Sequence, residues 1–147
     1  MNISVHDGPD SATSAAADLL AEWLTEPATR NVMLAAGNTP LELYRRIGGR
    51  ELSLSHLTVF SLDEYVGVPL EDPRNCANII RDTAVQPWGV PGEQYHFVNS
   101  LESEALASVQ QHERLIETAG GLEVMVLGLG QNGPLGFNEP GSEEDSM

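Results

Sequence analysis

The 147-residue sequence contains no lysine, a single cysteine and only 5% aromatic residues. Its seven basic residues are all arginines and face 22 acidic ones, for a formal net charge of −15. Without lysine, neither a lysine Schiff base nor a Walker-type phosphate lysine is available. Cys76 alone cannot form an intramolecular disulfide or a cysteine-type zinc site, so a reducing, cytoplasmic setting is expected. Seven dispersed arginines under such an acidic excess are a poor footprint for nucleic acid or for an anionic membrane surface, and both partner classes are excluded. Met1 to Asp7 has no basic region and no long apolar run, so neither a signal peptide nor a membrane span is expected. His6, His56, His96 and His112 stand singly, with no i, i+4 pair to hold a metal, and each reads as a surface or internally satisfied histidine.

With 41% apolar residues the chain can bury a core, and its length suits one domain over residues 1–147. The acidic excess reads as a solvated, self-repelling surface. Short apolar runs alternate with longer amphipathic stretches. Ile3 to Val5 is expected to be a short edge strand, followed by a helix capped at Asp10 or Ser11 and running to about Glu26, where Pro27 closes it. Asn31 to Ala36 reads as a strand, and Thr39 as the N-cap of a helix that has Pro40 at its first position and is stopped by Gly48-Gly49. Leu57 to Leu62 is a buried strand that runs directly into Asp63-Glu64-Tyr65. A helix from about Asn75 to Val85, a strand Tyr95 to Val98, a helix Glu102 to Ala119 and a strand Glu123 to Leu127 complete the alternation. This order predicts an α/β fold with a doubly wound, mostly parallel Rossmann-like sheet.

In such sheets ligands bind beyond the carboxyl ends of the strands, where strand order reverses. Three segments meet that rule: Gly37 to Pro40, Asp63 to Gly67, and Gly128 to Gly141. Gly37-Asn38-Thr39-Pro40 fits either a phosphate cradle at a helix N-terminus or a plain, well-capped helix start. Of Asp63-Glu64, one carboxylate is expected at the strand tip facing the crevice, where partial desolvation suits a general base, and its neighbour toward a helix or solvent. Gly128-Leu129-Gly130-Gln131-Asn132-Gly133 matches the dinucleotide fingerprint in spelling but not in context. Pro134, Pro140 and Gly141 break the helix the fingerprint requires, and no acid follows on a next strand. Glu139 reads by itself as one more surface acid beside Glu143, Glu144 and Asp145.

Taken together, Gly37-Asn38-Thr39-Pro40, Leu62-Asp63-Glu64-Tyr65-Val66-Gly67-Val68-Pro69 and Gly128 to Gly133 through Phe137-Asn138-Glu139-Pro140 resemble the glucosamine/galactosamine-6-phosphate deaminase–isomerase family. The likeness covers nearly the whole chain and disfavours the architecturally similar 6-phosphogluconolactonases. Asp72-Pro73-Arg74-Asn75-Cys76 and Asn132 look closer to the galactosamine-6-phosphate branch. The resemblance implies ring opening of an amino-sugar 6-phosphate, proton transfer between C2 and C1, and loss of ammonia, with no metal or organic cofactor. It assigns Asp63 as the proton-shuttling base, Glu139 as the acid that tunes a ring-opening histidine, and Asn132 to a position where many members have Asp. Gly37, Asn38 and Thr39 match the loop at the substrate's phosphate end, and Glu64, Gly128, Leu129 and Gly130 are further substrate-binding candidates.

Two departures accompany the likeness. Pro134 stands where the family has its histidine, and proline cannot transfer a proton. Family members also run on well past the equivalent of Met147, with later arginine and lysine gripping the phosphate. A chain like this is therefore expected to be the N-terminal half of a larger domain, with a sheet edge left for a further copy or a partner to cover. Two readings follow: an amino-sugar 6-phosphate deaminase by descent, or a non-catalytic homologue that binds a sugar phosphate or a partner.

Overall fold

The computed structural model describes residues 2–136, 140 and 141. Four parallel strands form one sheet in the order β3-β2-β1-β4. They are β1 (Asn31–Leu34), β2 (Thr58–Ser61), β3 (Tyr95–His96) and β4 (Val124–Val126). The helices are α1 (Pro9–Thr25), α2 (Asn38–Gly48), α3 (Cys76–Ile80) and α4 (Ala105–Ala119). The expected α/β, doubly wound parallel architecture is present.

The apolar runs explain the sheet. β1 is buried at all four positions, as a central parallel strand covered on both faces must be. Side chains alternate across a strand, and the partition follows that period. Val32, Leu34 and Val59 join the core cluster with Leu20 and Leu24 of α1, Tyr44 and Ile47 of α2, and Ala77 and Ile80 of α3. Phe60 turns to the opposite face, where it meets His112 of α4 at a ring-centroid distance of 5.5 Å. Glu123 ties the amino ends of β1 and β4, its carboxylate accepting hydrogen bonds from the backbone N–H groups of Arg30 (3.0 Å) and Asn31 (2.6 Å). Tyr44 does the same at the carboxyl end of β1: its buried hydroxyl donates to the Ala35 carbonyl at 2.9 Å. The Trp88 indole in turn donates to the Tyr44 carbonyl at 3.1 Å.

Several local expectations need correction. Ile3 to Val5 forms no strand: Ile3 and Val5 are 74% and 91% exposed, too short an apolar run to earn a place on the sheet. The cap of α2 is Gly37 rather than Thr39, and its φ of 123° lies where a side chain is strained. Pro40 then sits in the third helical position, still within the first turn, where its missing N–H costs no helical bond. The helix from Asn75 keeps α geometry only to Ile80 and widens into a π turn over Arg81–Val85. There the Thr83 hydroxyl donates to the Ile79 carbonyl at 2.6 Å, competing with the helical ladder. α4 begins at Ala105 rather than Glu102 because Asn99 organises the preceding residues into a turn, accepting from the Leu101 N–H at 2.9 Å.

Tyr44→Phe deletes the donor that satisfies a buried carbonyl while keeping the ring. It is expected to lower unfolding free energy by about 1–3 kcal/mol, read as a lower urea midpoint with an unchanged slope.

Candidate functional site

Strand order fixes where a site can form. β2 and β3 lie on one side of β1 while β4 lies on the other, so the chain reverses its progress across the sheet between β1 and β4. The loops leaving these two strands diverge and leave a crevice at their carboxyl ends. A cavity of about 340 Å³ occupies it, and its walls come from the three segments singled out in the sequence. Ala35 to Pro40 follow β1, Leu62 and Asp63 follow β2, and Gly128 to Gly130 with Pro134 and Gly136 follow β4.

The first wall is a helix start with no side-chain cap and no acidic residue in its first turn. The amino end of α2 carries partial positive charge, and its first backbone N–H groups have no helical acceptor. Asn38 and Thr39 are exposed at this mouth, beside the left-handed Gly37. The arrangement suits an anionic group held by backbone rather than by cations. Among the described residues, no arginine lines the cavity. Arg46, Arg50, Arg74 and Arg81 are instead paired with surface carboxylates.

The second wall supplies the acid. Leu62 donates its N–H to the Leu34 carbonyl at 2.9 Å, extending the β1–β2 ladder one residue past β2 and delivering Asp63 to the cavity rim. Asp63 is half-buried, and its carboxyl is raised above the usual range, first by burial and then by the negative charge of Glu64. It is the one titratable side chain among the described residues of the wall. Its charge also contributes to raising the buried Tyr44 hydroxyl, after burial itself.

Glu64, named above as a substrate-binding candidate, is engaged by α3. Its carboxylate accepts from the backbone N–H groups of Cys76 and Ala77, each at 3.1 Å, and so caps α3. Asn75 joins that cap through its own side chain, at 3.0 Å to the Ala77 N–H. Burial and then Glu64 push the Cys76 thiol up to about 12, so it is an unreactive core residue. Asp72 and Arg74 pair at 2.6 Å, which holds the Asp72 carboxyl down at about 2. The Asp72 to Cys76 motif therefore shapes a loop and does not reach the cavity.

The third wall is a tight reversal. Gly130 donates to the Pro134 carbonyl at 2.9 Å, Gly133 donates to the Gly130 carbonyl at 3.0 Å, and Leu129 bridges Leu135. A side chain at Gly130 would lie 2.5 Å from Cγ of Pro134, so the glycine is required by the proline ring. Among the described residues no helix follows Gly128 to Gly133. Asn132 is exposed at the tip of the turn and is not part of the cavity wall. Glu139 lies outside the described residues, as do Phe137 and Asn138.

Leu62, Gly136 and Tyr44 were missed in the sequence. Gly136, at φ 58°, sits where a side chain would come within 3.6 Å of both Leu62 and Leu127. Such an encounter between distant segments has no local signature. Tyr44 carried one signal, a polar tip on the apolar face of an amphipathic helix, but not the identity of its partner.

The model of the glucosamine-6-phosphate isomerase/6-phosphogluconolactonase family matches residues 7–134. The chain is 32% identical to a glucosamine-6-phosphate deaminase of Corynebacterium urealyticum, an alignment that covers 100% of this chain and 58% of the relative. A deaminase of the same name from Rhodopirellula baltica is 33% identical, with 99% and 60% covered. Among solved structures, a monomeric glucosamine-6-phosphate deaminase superposes with a TM-score of 0.90 at 27% identity, covering 99% of this chain and 62% of that one. The 6-phosphogluconolactonase of Thermotoga maritima gives 0.72 at 25% identity, with 89% and 60% covered. The chain thus spans about three fifths of the length of these relatives. Matched over residues 7–134, the chain belongs to the glucosamine-6-phosphate isomerase/6-phosphogluconolactonase family.

Proposed function

We propose that this chain carries the base-bearing portion of an amino-sugar 6-phosphate deaminase/isomerase site, with glucosamine-6-phosphate or galactosamine-6-phosphate as ligand. One observation supports this above the rest: an uncapped helix start and a desolvated carboxyl share one cavity at the reversal of strand order. In this reading the amino end of α2, at Gly37, Asn38 and Thr39, receives the phosphate end of the sugar. Gly128, Leu129 and Gly130 face the sugar from the opposite wall, Asn132 lies in the same turn, and Glu139, outside the described residues, enters only through the family resemblance.

Asp63 does the proton work. On an open-chain amino sugar, the C2 proton is acidified by the adjacent carbonyl at C1. With the substrate as its ammonium form, the Asp63 carboxylate removes it while one ammonium proton passes to O1, C1 and C2 become an enolamine, and the resulting carboxylic acid returns the C2 proton to C1. The C2 iminium left behind is hydrolysed by water to ketone and ammonia, so no electrons leave the substrate and no cofactor is required. A carboxyl raised by burial is a stronger base than an exposed one and suits this task.

A second reading, a non-catalytic sugar-phosphate or partner-binding homologue, is favoured by Pro134. Ring opening needs a proton taken from O1 and one given to the ring oxygen. Among the described wall residues only Asp63 can exchange a proton, and proline offers neither a side-chain donor nor an N–H.

Ammonia release from glucosamine-6-phosphate and galactosamine-6-phosphate separates the two readings. Under the deaminase reading the unmodified chain releases ammonia, Asp63→Asn reduces the rate by about 10²–10⁴-fold, and Pro134→His raises it. Binding without turnover in both the unmodified chain and Pro134→His selects the non-catalytic reading. Stability offers an independent check on Asp63. Since its carboxyl is raised in the folded chain, folded Asp63 holds its proton more tightly than unfolded Asp63 does. Ionisation therefore opposes folding near neutral pH and ceases to do so below the ordinary carboxylate range. Asp63→Asn is expected to raise the melting temperature near neutral pH, with the gain vanishing in acid. Glu64→Ala, which removes the α3 cap, should lose about 0.5–2 kcal/mol of stability while sugar-phosphate binding is retained.

A further inference from the structure

The sole buried residue of α4 is a histidine, His112, where an amphipathic helix on a sheet ordinarily places an aliphatic side chain. Its Nε2 lies 2.9 Å from the Ser61 carbonyl, and its ring packs edge-on against Phe60. Since a carbonyl only accepts, Nε2 carries the proton and donates. Ser61 is the last residue of β2, and β3 ends at His96, the partner of Phe60; beyond it the Val98 N–H donates to the Ser61 hydroxyl at 3.3 Å, and the Ser61 carbonyl takes its donor from elsewhere. His112 supplies that donor from a helix 51 residues away in sequence. On the β1 side, Leu62 donates to Leu34 at 2.9 Å. The carboxyl end of β2 is thus held from both sides one residue before Asp63.

Packing alone does not call for a histidine here, because leucine would fill the space against Phe60 without a polar atom to desolvate. The hydrogen bond distinguishes the residue, and it acts on the one strand end that carries the cavity's acid. We propose that His112 is a positioning residue for Asp63, fixing the exit of β2 so that the carboxyl stays at the cavity rim beside Glu64. This role rests on the assignment of Asp63 as the base of the site. The His112 imidazole is pushed down, first by burial; its Ser61 hydrogen bond acts the other way, and His96 on β3 adds to the lowering. Phe60 separates the two rings, at 5.1 Å from His96. Glu64 in its own loop bears on Asp63, and Asp63 in turn bears on Tyr44 of α2 and Cys76 of α3.

The test follows the titration of the Asp63 carboxyl by ¹³C NMR in the full chain, in His112→Leu and in His112→Gln. Gln places an amide N–H the same number of bonds from the backbone as Nε2, and Leu keeps apolar bulk without a donor. If His112 positions Asp63, the Asp63 midpoint in His112→Leu moves down toward the ordinary carboxylate value as the strand end relaxes into solvent, and His112→Gln restores it. A shift of equal size in both variants, or no shift in either alongside a loss of urea stability, overturns the proposal and leaves His112 a packing residue. Should His112→Leu fail to fold, an unshifted Asp63 in His112→Gln supports the proposal and a shifted one overturns it. The reading on which it rests fails separately, if Asp63→Asn leaves binding and turnover of glucosamine-6-phosphate unchanged.

Discussion

The reversal of strand order between β1 and β4 is the constraint on which the rest of the structure depends. A central strand flanked by parallel neighbours must send its connections over the faces of the sheet, since parallel strands cannot be joined by a tight turn. Once β2 is placed on one side of β1 and β4 on the other, the loops that leave β1 and β4 separate, and the space between them cannot be filled by either. The cavity is a consequence of topology before it is a consequence of any side chain. Side chains then hold its two principal walls in place: Glu123 at the amino ends of β1 and β4, Tyr44 at the carboxyl end of β1, and His112 at the carboxyl end of β2.

Charge economy shapes the same site. A chain with 22 acids and seven arginines has few cations to offer an anionic ligand, and at least five of those arginines serve surface ion pairs. Such exposed pairs are worth about 0–1 kcal/mol each, so their role is to settle loops and helix neighbours rather than to carry stability. What remains for an anion is the backbone at the start of α2, whose dipole and unpaired N–H groups carry no formal charge and need no counter-ion. The same excess of acid has a use within the second wall. Glu64, bound to the amino end of α3, keeps its charge close to Asp63 and helps hold the Asp63 proton.

Much of this was legible in the sequence because the signals were local. The alternation of short apolar runs with amphipathic stretches gave the order of elements, and the strand-end rule located all three cavity walls from Gly37, Asp63 and Gly128 onward. Failures came where a residue's role depends on a distant neighbour. Thr39 looked like a cap, but the left-handed Gly37 lets α2 begin earlier, and that conformation is set by the crevice it borders. Glu64 turns toward a helix, as one of the two carboxylates was expected to, but no sequence spacing revealed the two N–H groups of α3 that it meets. His112 read as a surface or internally satisfied histidine, and the carbonyl that satisfies it lies on β2, 51 residues away in sequence. Family resemblance carried the identification of Asp63 further than spacing did, and it marked Pro134 as a departure before the structure put that ring on the cavity wall.

The account centres on one claim, that the walls formed by α2's amino end, Asp63 and the Gly128 to Gly130 turn bind an amino-sugar 6-phosphate together. Backbone amide NMR of the full chain titrated with glucosamine-6-phosphate tests it most directly. Saturable shifts at Gly37, Asn38, Thr39, Asp63, Gly128, Leu129 and Gly130, absent when glucosamine without the phosphate is added at the same concentration, are the predicted result. Shifts confined to other surfaces, or none at these residues up to millimolar ligand, would contradict it.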